Sequence, residues 1–229
     1  THPAPAGAAR APRPRRETAG DRRARALVVL DRLKQRHPDA HCELVHRDAY
    51  ELLAATILSA QCTDARVNMV TPVLFARYPT PDALAVADPG ELEEIVRSTG
   101  FYASKAKNLI GMATVLRDRF SGEVPDALDD LVTLPGVGRK TGNLMRVVAF
   151  GLPGVVVDTH VIRLSLRLGL TDDTDPVKIE HAIAGFVPAG DRGAFSLRLI
   201  LHGRRVCGAR RPACDACAVE SFCPSSSCR

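Results

Sequence analysis

The sequence predicts an all-α protein. Apolar residues recur at helical spacing from residue 21 onward, and residues that start and stop helices bracket these runs. The only strand-like run is the three valines at 155–157, which are too few to predict a sheet. No repeat with the period of a solenoid is present.

The first helix is predicted from Leu27, Leu30 and Leu33, and His37-Pro38 ends it. Later helix starts are marked by capping residues: Asp48 with Glu51 in the manner of a capping box, Thr63 or Asp64, and Asp88 before Pro89. Gly100 ends the helix that Pro89 opens. Further helices are predicted over about 103–120, 176–187 and 191–203, with a short one after Pro125.

The net charge of +5 arises in the first 25 residues, where seven arginines face two acidic residues. Residues 1–20 are rich in Ala, Pro and Arg and are predicted to be a tail with little intrinsic structure, either a solubilising leader or a segment attracted to DNA. The rest of the chain is neutral overall. It nevertheless contains one arginine-rich stretch without acids, residues 192–211, which suits a face presented to a polyanion.

Several features argue against a membrane or secreted protein. No run of eighteen apolar residues is present, and the N-terminus lacks the apolar segment of a signal peptide. We therefore expect no membrane partner and a cytoplasmic location.

Residues 134–142 read Leu-Pro-Gly-Val-Gly-Arg-Lys-Thr-Gly. The turn from Pro135 to Gly138 can join two helices and leave backbone N–H groups open to a phosphate. Lys140 then lies in the first turn of the second helix, away from carboxylates, where it is a candidate amine nucleophile. The alternative is an ordinary turn followed by a solvated lysine.

Residues 157–160 read Val-Asp-Thr-His, with Asp158 eighteen residues after Lys140. Asp158 is a candidate catalytic carboxylate. It is equally a good N-cap for the helical run that follows, and one aspartate can serve both purposes.

Four of the seven cysteines lie near the C-terminus with the spacing C-x6-C-x2-C-x5-C, at Cys207, Cys214, Cys217 and Cys223. Structural zinc usually takes two short cysteine pairs, and here there is one. A single short pair with two outlying cysteines favours a [4Fe–4S] cluster over zinc or unligated thiols. The loop between the first two ligands would then hold Arg210 and Arg211 at a fixed height for phosphates.

Together these motifs resemble the endonuclease III family of helix-hairpin-helix DNA glycosylases, over roughly residues 22–224. Three further segments carry the resemblance: 59–64 (Ser-Ala-Gln-Cys-Thr-Asp), 100–105 (Gly-Phe-Tyr-Ala-Ser-Lys) and 201–204 (Leu-His-Gly-Arg). The chain departs from better-known members at two positions, with Phe101 where leucine is commoner and Cys62 where alanine is. A phenylalanine could stack on bases as well as separate them, whereas Cys62 is interpreted as neutral packing.

The resemblance implies a bifunctional DNA glycosylase and AP lyase of base excision repair, in which Lys140 attacks the sugar and Asp158 assists. Gln61 would fill the gap left by the extruded base, and Phe101 would act as the wedge. The remaining implied DNA contacts are Gly136, Val137, Gly138, Arg139, Thr141 and His160, with Arg210 and Arg211 from the cysteine loop. The expected substrate is double-stranded DNA with damaged bases, in particular oxidised pyrimidines, or with abasic sites.

The resemblance also implies two helical domains that flank a DNA-binding cleft. One is a six-helix barrel over residues 43–153 that contains the hairpin. The other, formed by residues 21–42 and 154–229, carries the iron–sulfur cluster in a structural role. The chain is expected to be a monomer associated with the bacterial nucleoid.

Three other interpretations account for fewer of these features. An adenine-specific mismatch glycosylase of the same superfamily typically lacks the lysine and carries an extra C-terminal domain. A non-enzymatic DNA-binding module leaves the pairing of Lys140 with Asp158 unexplained. A ferredoxin-like electron carrier would use only the last tenth of the chain.

Overall fold

The computed structural model describes residues 17–227. Of these residues 64% are helical and none forms a strand, which confirms the all-α prediction. The helices are α1 (Ala19–Arg36), α2 (Ala49–Leu58), α3 (Asp64–Arg77), α4 (Pro81–Ala85), α5 (Pro89–Val96), α6 (Tyr102–Phe120), α7 (Leu128–Leu131), α8 (Arg139–Val148), α9 (Thr159–Arg167), α10 (Pro176–Phe186) and α11 (Arg192–Arg205).

Two separate hydrophobic clusters organise these helices. The first core draws on residues 44–145, from α2 to α8 and the segment that leads into α2. The second core combines α1 with residues 155–219, so the chain returns to its N-terminal helix after it leaves the first core. We call the part of the protein around the first core the first half and the part around the second core the second half. A cleft lies where the two halves meet.

Side chains cap most helix starts where the sequence predicted them. Asp48 accepts a hydrogen bond from the N–H of Glu51 (2.9 Å). The Glu51 carboxylate accepts from the N–H of Arg47 (2.7 Å) instead of closing a capping box on Asp48. Thr63, and not Asp64, caps α3. These caps fix where α2 and α3 begin, and hence the position of the turn between them.

Three local expectations differ from the structure. The buried face of α1 is Ala26, Val29 and Leu33, whereas Leu27 is 39% exposed. This helix already begins at Ala19, inside the predicted tail, because Thr18 and Asp21 form a reciprocal capping box. Residues 1–16 of the tail lie outside the described residues. The short helix α4 was not predicted, although Thr80 caps it and Pro81 opens it.

The valines at 155–157 are buried in the connection between α8 and α9 and form no regular secondary structure. The side chain of Val155 packs in the second core. The N–H of Val156 donates to Ser196 Oγ of α11 (3.2 Å). A side-chain oxygen thus satisfies a buried N–H that a neighbouring strand would bond in a sheet.

Two glycines shape the α7–α8 hairpin. A Cβ at Gly142 would come within 2.6 Å of Leu128 Cδ1, so a larger residue there would force the Leu128 side chain to move. Gly136 has a φ of +79°, which side chains rarely adopt.

None of the helices between residues 17 and 227 has the length and apolar character that crossing a membrane requires.

Candidate DNA interface and catalytic cleft

The N-terminus of α8 is open. Its N-cap is Gly138, and no side chain hydrogen-bonds to the first turn, whereas side chains cap the starts of α2, α3, α5, α9 and α10. A Cβ at Gly138 would meet no atom within 4 Å, so the space beside the turn is clear. With Gly136 and Val137 before it and half-buried Thr141 after it, the turn has the properties of an anion-binding helix end.

Arg139, the first residue of α8, is already paired. Its Nε and NH2 donate to the two carboxylate oxygens of Glu180 in α10, at 2.7 and 2.8 Å. The guanidinium therefore has a carboxylate partner from the other half of the molecule. What Arg139 offers to a phosphate is its backbone N–H.

Lys140 and Asp158 line the same cleft, which has a volume of about 610 Å³. Lys140 is exposed on the first turn of α8, and Asp158 immediately precedes α9. Residues of both hydrophobic cores contribute to the walls, including Leu44 from the first. The fold thus brings together the two residues that sequence motifs singled out.

Asp158 is the N-cap of α9. Its Oδ1 accepts a hydrogen bond from the N–H of Val161 at 2.9 Å. The cap uses Oδ1 alone, so capping and a role in the cleft do not compete for the same oxygen.

His160 is held away from the lining of the cleft. Its Nδ1 lies 3.1 Å from Arg163 NH2, and a Cβ at Gly203 would approach that same nitrogen to 2.9 Å. Burial lowers the pKa of His160. The ring is therefore packed between α9 and α11 beside the cleft.

Gln61 and Phe101 share an unusual backbone conformation. Both are in the left-handed region, with φ of +52° and +48°, and Ser121 is the one other non-glycine residue there among those described. The conformation costs a non-glycine residue on the order of 1 kcal/mol or more. Both residues are exposed, Phe101 to 67%. The fold thus holds these two exposed residues in a fixed backbone conformation.

The four C-terminal cysteines line one largely apolar pocket. The six cysteines in the described part of the chain are not in disulfides. Burial raises the pKa of Cys217, and the neighbouring thiols of Cys207, Cys223 and Cys214 raise it further. No group of three His, Cys, Asp or Glu side chains within the described residues is arranged to hold a single metal ion.

Arg167 and His202, which also line this pocket, each place a side-chain nitrogen beside one of the thiols. Arg167 NH1 donates to Cys207 Sγ at 3.2 Å, and His202 Nε2 lies 3.3 Å from Cys217 Sγ. Burial, with a smaller contribution from His37, lowers the pKa of His202 to about 4, so its ring is neutral near pH 7. Four convergent thiols with hydrogen-bond donors to sulfur suit a polynuclear cluster.

The loop that starts at Cys207 is fixed by two arginines of α9. Arg167 donates to the carbonyls of Gly208 (2.8 Å) and Ala209 (2.7 Å), and Arg163 donates to the carbonyl of Cys207 (3.0 Å). Arg210 and Arg211 are exposed at the tip of this loop. The predicted phosphate-binding arginines thus project from an anchored backbone.

Residues 54–189 match the HhH-GPD superfamily of base excision DNA repair proteins. Endonuclease III of Synechocystis sp. is 52% identical over 203 residues, which are 88% of this chain and 93% of that protein. The Bacillus subtilis endonuclease III is 44% identical over 195 residues, 85% of this chain and 89% of that protein. The chain belongs to the endonuclease III family.

Solved structures support the same family membership. A trapped covalent intermediate of an endonuclease III with DNA superimposes with a TM-score of 0.85 at 43% identity, and covers 89% of this chain and 96% of that chain. A thermostable thymine-DNA glycosylase superimposes with a TM-score of 0.80 at 22% identity, which shows the shared fold.

Sequence motifs missed the partners that link the two halves. Glu180 is the one acidic residue of α10, and no local pattern marks it as the partner of Arg139. Asp64 resembled a helix cap, and Arg204 was one of several arginines in a basic stretch. Their side chains turn out to meet at the cleft wall.

Proposed function

We propose that the chain removes oxidised pyrimidines from duplex DNA and nicks the strand, with Lys140 as the nucleophile and Asp158 as its assisting carboxylate. Its class follows from the family: it is a DNA glycosylase and AP lyase of base excision repair. The observation that carries the residue assignment is the shared cleft of Lys140 and Asp158, beside the open N-terminus of α8.

The damaged base must leave the duplex before the cleft can act on it. The α7–α8 hairpin would bind a phosphate through the N–H groups of residues 136–139, which positions the protein without reading sequence. Phe101 would enter the stack from one side while Gln61 occupies the vacated space. Their preset backbone suits this role, because the strain is met by folding and not at the moment of binding.

In the first chemical step the neutral Nζ of Lys140 attacks C1′ of the sugar. A C–N bond forms to the lysine, and the bond from C1′ to the base breaks with its electron pair leaving on the base. Asp158 accepts a proton from the lysine ammonium and stabilises positive charge that develops on the sugar.

In the second step the C1′–O4′ bond of the adduct breaks, the ring oxygen takes up a proton, and the lysine nitrogen forms a Schiff base with C1′, which acidifies the hydrogen at C2′. Loss of that proton and departure of the 3′ phosphate with the C3′–O electron pair nick the strand. Water later releases the lysine.

The residues that would hold a [4Fe–4S] cluster are Cys207, Cys214, Cys217 and Cys223. When bound, the cluster supplies structural order and no electron to the lysine chemistry. Arg163 and Arg167 hold the backbone of the intervening loop, and Arg210 and Arg211 then contact phosphates.

The proposal also covers the domain division, the oligomeric state and the location of the enzyme. The two hydrophobic cores suit a division into a six-helix barrel, residues 43–153, and a cluster domain of 21–42 with 154–229. We infer a monomer that acts in the bacterial cytoplasm on nucleoid DNA, with Thr141 and His160 close to the bound backbone.

Borohydride reduction in the presence of abasic duplex tests the lysine assignment. Wild-type protein should become covalently attached to DNA, and Lys140→Ala should not, while it retains duplex affinity within about threefold. Lys107→Ala is the matched control, because Lys107 is an exposed lysine of α6. Wild-type cross-linking by Lys140→Ala would assign the chemistry to another amine.

A further inference from the structure

Arg204 connects the two halves of the molecule at the wall of the catalytic cleft. It lies in the last turn of α11, whose side chains Phe195 and Leu199 belong to the second core. Its NH1 donates to Asp64 Oδ2 at 3.0 Å and also to Glu43 Oε2. All three side chains line the cleft that contains Lys140 and Asp158.

Both carboxylates belong to the other half. Asp64 is the first residue of α3, which packs in the first core. Glu43 is fastened to the same helix, because Asn68 of α3 donates to the Glu43 carbonyl and accepts from the N–H of Val45, both at 2.9 Å. The Leu44 side chain between these residues is buried in the first core. The Arg204 side chain therefore extends from α11 to two carboxylates that the first half holds in place.

The charges indicate a contact within the protein and not a phosphate contact. The Arg204 guanidinium faces two carboxylates, and Arg205 lies 3.8 Å from Glu43, so the charges of the cluster are balanced within the protein. Burial alone would lower the pKa of Arg204, but Asp64, Glu43 and Asp158 raise it, which keeps the cation in place. An arginine already held by two acids has little attraction left for DNA, in contrast to exposed Arg210 and Arg211.

A second ion pair crosses between the halves beside the hairpin. Arg139 binds Glu180 through two hydrogen bonds, and Arg139 directly precedes Lys140. Lys140 is thus positioned from one side by a pair that holds α8 to α10. The Arg204 cluster holds α11 to α3 at the wall of the cleft.

We propose that Arg204, gripped by Asp64 and Glu43, is a positioning residue that sets the separation of the two halves at which Lys140 and Asp158 act on one sugar. The inference rests on the proposed function of those two residues. Small misplacements of reacting groups reduce reaction rates strongly. Loosening this contact should therefore lower the rate of base removal more than it weakens DNA binding.

Three variants test the idea. The first is Arg204→Ala, the second replaces both carboxylates by amides (Glu43→Gln with Asp64→Asn), and the third combines all three changes. We expect each to slow single-turnover base removal about tenfold, below the roughly 100-fold that a 1 Å displacement can cost. The triple variant should be no slower than Arg204→Ala, because the same contact is lost. Arg32→Ala is the matched control, because Arg32 is an exposed arginine of α1, in the same half as Arg204, and takes no part in the Arg204 cluster; its rate should change less than twofold.

Removing the acids separates this idea from a phosphate contact. If Arg204 served DNA, the Glu43→Gln, Asp64→Asn pair would free it, and the variant would bind duplex more tightly and act at least as fast as wild type. That result would overturn the proposal. An unchanged rate in Arg204→Ala would do the same.

A direct measure of the cleft keeps the test independent of catalysis. Fluorophores on non-natural residues at exposed positions 86 and 181 report the distance between α4 and α10. Arg204→Ala should broaden that distance distribution, and Arg204→Lys should restore part of it. An identical distribution in Arg204→Ala would refute the role, whereas a wild-type protein without Schiff-base chemistry would refute only the proposed function.

Discussion

The guanidinium of Arg167 donates a hydrogen bond to Cys207 Sγ, 3.2 Å away, from the last turn of the helix that Asp158 caps. The nine-residue helix α9 therefore meets the catalytic cleft at its N-cap, Asp158, and the cysteine site at its last residue, Arg167. A short helix moves as one body, so order in the cysteine loop helps to fix the orientation of Asp158.

Replacing Asp158 in two ways should separate its capping from its chemistry. Asparagine caps helices about as well as aspartate, whereas alanine loses about 1 kcal/mol of cap energy. Asp158→Asn should retain near wild-type stability to urea but lose about 100-fold or more in single-turnover base removal. Asp158→Ala should lose both. An active Asp158→Asn enzyme would show that the residue is only a cap.

The four C-terminal cysteines should bind iron. Protein purified without oxygen should be yellow-brown with about four irons per chain. Cys214→Ser should lose most of the iron, whereas Cys42→Ser, at a cysteine in the other cleft, should retain it. Stoichiometric zinc in a colourless wild-type protein would contradict the assignment.

Arg210 and Arg211 should contribute to binding without contributing to lesion preference. Their joint replacement by alanine should weaken binding to damaged and undamaged duplex alike. It should also flatten the slope of log K against log salt by roughly 0.9 for each lost phosphate contact. Lysine at both positions is the matched control and should restore the slope. An unchanged slope in the alanine variant would place the DNA path elsewhere.

The wedge role of Phe101 should be visible in base opening and not in stability. Because the side chain is 67% exposed, Phe101→Ala should change unfolding free energy by less than about 0.5 kcal/mol. Base removal should slow about tenfold, and fluorescence of 2-aminopurine placed beside the lesion should report less unstacking. Phe101→Leu should retain most of the activity, and Val86→Ala, at another exposed apolar residue, should have no effect. Full unstacking by Phe101→Ala would assign the wedge elsewhere.

The local part of the fold could be predicted because its causes lie within a few residues. Asp48, Thr63 and Asp88 cap their helices through N–H groups three positions on, so the pattern is visible in the sequence itself. The five-residue helix α4 escaped prediction because it is too short to show periodicity, and its start at Thr80-Pro81 also fits an ordinary turn.

The candidate site could be predicted where one motif contains both the residue and its scaffold. Lys140 comes with its own turn, and Asp158 with its own helix. The contacts that position these residues join distant parts of the chain, 41 residues apart for Arg139 and Glu180 and 140 for Arg204 and Asp64. Any arginine can pair with any acid, so such partners are set by tertiary packing and not by a pattern.

The protein's own fold holds Gln61 and Phe101 in left-handed backbone. A protein that slides along a genome with its tips already shaped need not refold at every base pair. The rate at which base pairs are tested then depends on how easily each pair opens. If Gln61 and Phe101 enter the duplex as proposed, weakened base pairs are sampled more often than sound ones, and damaged sites are distinguished by how easily they deform before any pocket contacts a base.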